Sequence, residues 1–347
     1  MTEIAGTDHP EWLMTMPKVE LHVHLEGTIG PATLWQLSLE HGVDLGVSTE
    51  EDVAGLFIYD DFTGFIDTFT RCSSCLKTAR DLGKAVDAYG AELARQNVRY
   101  AEVHYNPEPH FRRSGIGFLE ALESMNAARE RVRKSHGIEL RWIADGVRDA
   151  NPGPISALHT VEWMIEHGPE TGIVALGLGG NEIGRPPHDF TVPFQMAREA
   201  GYHVVAHAGE ATGPDAIWDT LETLHAERIG HGIAAACDQR LLDHLARLGI
   251  PLEVSPTSNL RTGVIDSIDD LPLRAFAEAG VQFSINTDDP PMFGTDLVSE
   301  YAHAARLLEL DRVGVARLVA STIDQSFADA ETKARLQREL HEHTPFV

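Results

Sequence analysis

The chain has 347 residues, 43% of them apolar and 23% charged, and a formal net charge of −25. Such values suit a folded chain with a large core, and so negative a protein repels phosphate backbones and anionic membrane surfaces, which argues against nucleic-acid and lipid partners. No run approaches the ~18 apolar residues that cross a bilayer, the acidic start MTEIAGTDHPEW lacks an export signal, and Cys72 and Cys75 have no second zinc-finger pair; the expectation is a cytoplasmic protein with free thiols.

In chain order, eight short apolar or β-branched runs predict strands: Lys18–His24, Arg99–His104, Leu140–Asp145, Ile173–Leu178, Tyr202–His207, Arg228–His231, Pro251–Ser255 and Val281–Thr287. Amphipathic stretches such as Phe118–Lys134, Ala216–Ala226 and Gln239–Arg247 lie between them, so strand and helix alternate and the sheet should be parallel. Length alone allows two domains or one. Eight βα units with no GxGxxG after the first strand favour a single (β/α)8 TIM barrel over an open doubly wound sheet.

About 75 residues separate the first two strands, far more than a helical crossover needs, which predicts a helical insertion over about 26–97. Within it Phe62, Phe65, Ile66 and Phe69 fall at i, i+3, i+4 and i+7, one apolar helix face. Ordinary core packing accounts for such a stripe; a lid forming the apolar wall of a pocket is the functional alternative.

The informative feature is where metal-type ligands fall on this strand map. His22 and His24 close the first strand, His104 the second, Asp145 the third, His207 the fifth, His231 the sixth, and Asp288 and Asp289 follow the eighth. In a (β/α)8 barrel those ends converge on the face that carries the active site. Two residues apart on an extended strand, His22 and His24 point the same way and can grip one ion. Zinc accepts imidazole and carboxylate donors and, in catalytic sites, keeps a position open for water, whose pKa it lowers from 15.7 to about 7. The expected ligands of one Zn2+ are His22, His24, His207 and Asp288.

His231 could orient or deprotonate that water; a ligand role or a structural one are its alternatives. Glu210, three residues after His207 in HAGE, reads as a proton shuttle, because hydrolysis at an aromatic ring carbon needs a proton delivered to the neighbouring ring nitrogen. A carboxylate favoured by a helix N-terminus is the bland reading of Glu210. Asp289 is free to face substrate, accepting a hydrogen bond or, if protonated, donating one.

Taken together, MPKVELHVHLEGT, GLGGNE, HAGE, RIGHG, SPTSN and NTDDPPMF resemble the adenosine deaminase family of the amidohydrolase superfamily over nearly the whole chain. The resemblance implies Glu210 as donor to purine N1, His231 with Asp288 positioning the attacking water, Asp289 on N7, the Gly180 backbone N–H on N3, and Phe62, Phe65, Ile66 and Phe69 in a lid over the sugar. His24 and Glu26 would also meet substrate. The PCxxC motif that accompanies HxE in cytidine-type zinc deaminases is absent.

Two positions depart from the family pattern. HLEG stands where adenosine deaminases read HLDG, so Glu26 occupies the place that meets the ribose 5′-hydroxyl, and Asn181 stands where GDE is usual. HLEG is shared with bacterial adenine deaminases, whereas SPTSN with Thr262 and Gly263 leans towards the nucleoside enzymes. The leading expectation is therefore a hydrolase of a cyclic amidine C–N bond acting on adenosine or 2′-deoxyadenosine in purine salvage. The alternatives on the same site are 6-aminodeoxyfutalosine, a 5′-substituted adenosine-like intermediate of menaquinone synthesis, and free adenine. A metal-dependent ester or amide hydrolase and a non-catalytic barrel are the readings from other classes. Oligomeric state and the roles of His104, Asp145 and Glu182 stay open at this stage.

Overall fold

The computed structural model describes residues 9–59, 62–150 and 153–345. Eight parallel strands follow chain order: β1 Lys18–His24, β2 Val98–Tyr105, β3 Glu139–Val147, β4 Ile173–Gly179, β5 His203–Ala208, β6 Arg228–His231, β7 Leu252–Val254 and β8 Phe283–Ile285. Each pairs with the next, and the sheet returns to its start where Val23 bridges Asp288. There the His24 N–H donates to the Asp288 carbonyl at 2.9 Å and the Asp288 N–H to the His22 carbonyl at 3.2 Å. This is the expected (β/α)8 barrel, its strand ends within two residues of those read from sequence.

Strands β1, β6, β7 and β8 are buried along their whole length, as a parallel sheet covered on both faces requires. The outer helices supply the second layer. Helix Gln239–Leu248 shows how: Leu241, Leu242 and Leu245 face inward, and the Asp238 carboxylate accepts the Arg240 and Leu241 N–H groups, a cap worth about 1 kcal/mol.

Within the segment 26–97, helix Ala79–Arg95 packs against helix Phe118–His136 and against β2, so it belongs to the outer ring. Helices Pro31–His41, Glu50–Val53 and Phe62–Cys75 are additional to the plain barrel. On the last of these Phe65 is buried and stacks on Phe293 with ring centroids 4.9 Å apart, and Phe69 lies 6.1 Å from Phe65, while Ile66 is exposed. The Phe62 side chain lies outside the described residues. Cys72 and Cys75 are buried free thiols. Among the described residues no helix is long and apolar enough to cross a membrane.

Candidate active site

Where the strand ends converge, His22, His24, His207 and Asp288 bring one ligand atom each to within 4.8 Å of one another. The Asp288 Oδ1 atom lies 3.2 Å from His24 Nε2 and 3.5 Å from His22 Nε2, and His24 Nε2 lies 3.2 Å from His207 Nε2. The outer ring nitrogens explain these orientations. His22 Nδ1 is 2.7 Å from Glu253 Oε2, and His207 Nδ1 is 2.9 Å from the Leu178 carbonyl. Each outer nitrogen donates its hydrogen outward, so the inner nitrogens present bare lone pairs to one another and to a carboxylate. Buried His22 Nε2 has no hydrogen-bond partner among the described residues. Lone pairs packed so closely repel unless a cation sits between them, and three imidazoles with one carboxylate are a donor set that zinc accepts.

The electrostatics agree. Burial opposes a charge on His22, yet the facing carboxylates of Asp288 and Glu253 outweigh it and push its pKa up to about 10; burial and Asp288 act likewise on His24, to about 9. Without a metal His22 and His24 take up protons instead, while burial and the neighbouring imidazoles drive the His207 pKa well down. Ser258 Oγ donates to Asp288 Oδ2 at 2.7 Å, which leaves Oδ1 for the cluster. His104 and Asp145, whose roles sequence left open, pair at 2.9 Å behind the ligands, with His104 ring centroids 4.8 and 4.9 Å from His22 and His24.

Glu210 and His231 flank the cluster. His231 Nε2 lies 3.6 Å from Glu210 Oε2 and 3.9 Å from Asp288 Oδ2, and the Asn259 amide 3.1 Å from Nδ1 fixes the ring. Burial drives the His231 pKa down to about 3, so the ring is neutral. Burial, then the charges of Asp288 and Glu182, push Glu210 up to about 8, which keeps it a neutral acid at neutral pH. The helix that follows begins only at Pro214, so a helix N-terminus does not account for Glu210. Instead Glu182 accepts the Gly209 N–H (3.1 Å), the Glu210 N–H (3.2 Å) and the Thr212 hydroxyl, and so shapes the HAGE turn.

Both His231 and Asp288 adopt left-handed backbone, with φ of 56° and 65°, a conformation that non-glycine residues adopt rarely and at some cost. Asp289, beside Asp288, is buried, and desolvation with its neighbour's charge pushes its carboxyl well above the usual range. Its Oδ1 has no partner among the described residues. A Cβ on Gly27 would lie 1.7 Å from that oxygen, so only glycine lets the β1 turn approach so closely. Gly27→Ala must displace Asp289; the expected result is a drop in kcat/KM of about 100-fold, as for a 1 Å misplacement, with metal content near wild type by mass spectrometry. Unchanged turnover would mean that Asp289 has no part in the reaction. Gly180, at φ 86°, stands at the end of β4 facing the same space.

His24, His207, Glu210, His231, Asp288 and Asp289 line a cavity of about 960 Å³, together with Phe65, Ile66, Phe69 and Glu26. Glu26 is buried and already engaged: its Oε1 takes the Asn106 N–H at 3.1 Å and His110 Nε2 at 2.8 Å. The structure therefore brings together every expected site residue whose side chain it describes. Sequence reading missed Glu253, Ser258, Asn259 and the buried Arg228, which donates to Glu253 at 2.6 Å and to Glu102 at 2.5 Å. A glutamate in mid-strand in the apolar run PLEVS was the one local signal available.

The sequence profile of the family described as adenosine deaminase matches residues 17–343. The chain belongs to the adenosine deaminase family. Membership makes it a hydrolase, a deaminase of an adenine-like small molecule. It is 43% identical to the aminodeoxyfutalosine deaminase of Streptomyces avermitilis, over 98% of this chain and 94% of that one. It is 33% identical to the adenine deaminase of Rhodospirillum rubrum, over 95% and 98% of the two chains. The crystal structure of adenine deaminase from Arthrobacter aurescens superposes with a TM-score of 0.88 at 31% identity, covering 94% of this chain and 98% of that one. The resemblance read from the motifs is thus borne out, and the names of these relatives favour the alternative substrates over adenosine.

Proposed function

We propose that the enzyme deaminates an adenine nucleoside substituted at the 5′ position, with aminodeoxyfutalosine as reference substrate. The observation that carries this reading is the cavity: about 960 Å³ lies near the top of the ~300–1,000 Å³ range of pockets for drug-sized ligands, far more room than a bare purine fills. It reaches from the His–Asp cluster to Arg112 and Arg113. The 43% identity to an aminodeoxyfutalosine deaminase supports it, and the adenosine expectation takes second place. Free adenine is the other reading, favoured by relatives of that name at 33% and 31% identity.

His22, His24, His207 and Asp288 would hold one zinc, whose chemistry when bound is to polarise a water so that it loses a proton near neutral pH. Glu210 gives its proton to N1 as water adds to C6. His231, neutral and beside Asp288, orients the water and relays one of its protons to the 6-amino group, which leaves as ammonia, while the proton of the new C6 hydroxyl returns to Glu210 as the carbonyl forms. Protonated Asp289 donates to N7 and the Gly180 N–H to N3, while Phe65 and Phe69 exclude bulk water from the base.

The test is kcat/KM, followed by ultraviolet absorbance, on aminodeoxyfutalosine, adenosine, 2′-deoxyadenosine and adenine. The expected outcome is a preference of at least tenfold, about 1.4 kcal/mol, for the 5′-substituted nucleoside. A tenfold preference for adenine would replace the proposal by the second reading.

A further inference from the structure

Arg148 follows β3 directly and is 2% exposed, a buried guanidinium to which the reaction assigns no part. Its Nη2 donates to the His207 carbonyl at 2.7 Å and its Nη1 to the Leu178 carbonyl at 3.4 Å. The Leu178 carbonyl is also the acceptor for His207 Nδ1. These atoms lie where β4 and β5 part: the ladder pairs Ala175 with His203 and Leu176 with Val204 and goes no further, so the guanidinium spans its open end. A planar fork of donors suits that task, whereas an ammonium is a point charge that does not match two acceptors at once.

Burying a cation is costly unless a carboxylate pairs with it. Arg228 meets that condition through Glu102 and Glu253, whereas Arg148 forms no ion pair among the described residues. The strongest opposite charge acting on it is that of Glu182, and the two line a second cavity of about 300 Å³. Between them they hold both ends of one turn: Arg148 the carbonyl of His207, Glu182 the N–H groups of Gly209 and Glu210. A buried charge kept at such a cost points to what it positions rather than to stability.

We infer that Arg148 is a positioning residue: by spanning the carbonyls of Leu178 and His207 it sets the His207 ring and, with Glu182, the separation of that ring from the Glu210 carboxyl. This rests on the reading of His207 as a metal ligand and Glu210 as proton donor, and adds to it what keeps the two in register. Losing such a support behind a ligand costs about 10- to 100-fold in metal affinity or activity, while the groups that bind substrate stay in place.

The experiment measures zinc affinity by chelator competition, Tm, and kcat and KM on whichever of aminodeoxyfutalosine, adenosine, 2′-deoxyadenosine and adenine the wild type prefers. Arg148→Lys keeps the charge but not the fork, and is expected to lose about tenfold or more both in zinc affinity and in kcat at saturating zinc, with KM within about twofold and Tm near wild type. In Arg148→Ala, millimolar methylguanidinium should restore kcat severalfold and methylammonium should not, because only the former offers parallel donors. A lowered Tm without loss of kcat, or a folded alanine variant that methylguanidinium does not rescue, marks a structural role and overturns the inference. Should the alanine variant not fold, the lysine variant decides alone; if neither folds, Arg148 serves the fold and the inference fails. Glu210→Gln, measured alongside, separates the two readings. Wild-type turnover there sinks the reading of Glu210 as donor, whereas an inactive Glu210→Gln beside an unaffected Arg148→Lys sinks the positioning role alone.

Discussion

Glu210→Gln is expected to bind metal normally and to turn over at least ~100-fold more slowly than wild type, the low end of the loss for a general acid. The amide keeps the size and the backbone hydrogen bonds that Glu182 makes to the HAGE turn, so geometry is preserved and only the proton is lost. The pH profile gives the sign. Burial and the neighbouring Asp288 and Glu182 raise the Glu210 pKa to about 8, so the acid form is present below that value and activity falls as pH rises through it. A cation at Asp288 offsets part of that rise and draws the alkaline limb lower. In Glu210→Gln this limb should vanish. Turnover near wild type in the variant would sink the mechanism and revive an ester or amide hydrolase, which has no need of a donor to a ring nitrogen.

Asp288→Ala is expected to lose most of its bound metal and, with it, measurable deamination. Burial alone would raise this carboxyl, but the facing imidazoles of His22 and His24 hold it well below the usual range, so it is a full negative charge facing the cluster. Removing it leaves three imidazoles to compete for the ion without the anion that offsets the cost of desolvating it. Metal content by mass spectrometry and thermal unfolding with and without chelator give independent readouts. Ligand at 100 times its Kd stabilises the fold by about 2.7 kcal/mol, so chelator should lower the wild-type Tm and leave the variant's almost unmoved. Full metal occupancy in the variant would contradict the ligand set.

Much of this site is legible in the chain before it folds. Strand β1 has the same ends as the run read from composition, Lys18–His24, because its apolar and β-branched residues are buried throughout. At β7 and β8 the expected runs are longer than the paired strands, since the backbone leaves the ladder where side chains take over. Asn286 Oδ1 accepts the Leu21 N–H at 2.9 Å, and Glu20 accepts the Thr287 N–H at 2.9 Å.

By itself the sequence determined the barrel, the HxH pair and the other polar residues at strand ends, because period-two alternation and strand-helix order are local properties and a parallel barrel sends every strand's end to one face. Only the tertiary structure decided that Glu253 and Arg228 hold His22, that Glu182 shapes the turn carrying Glu210, and that Glu26 is already paired with His110. Those contacts join residues 25 to 231 positions apart, and nothing in a local pattern encodes which distant side chain closes a hydrogen bond. The strand ladder alone brings them within reach.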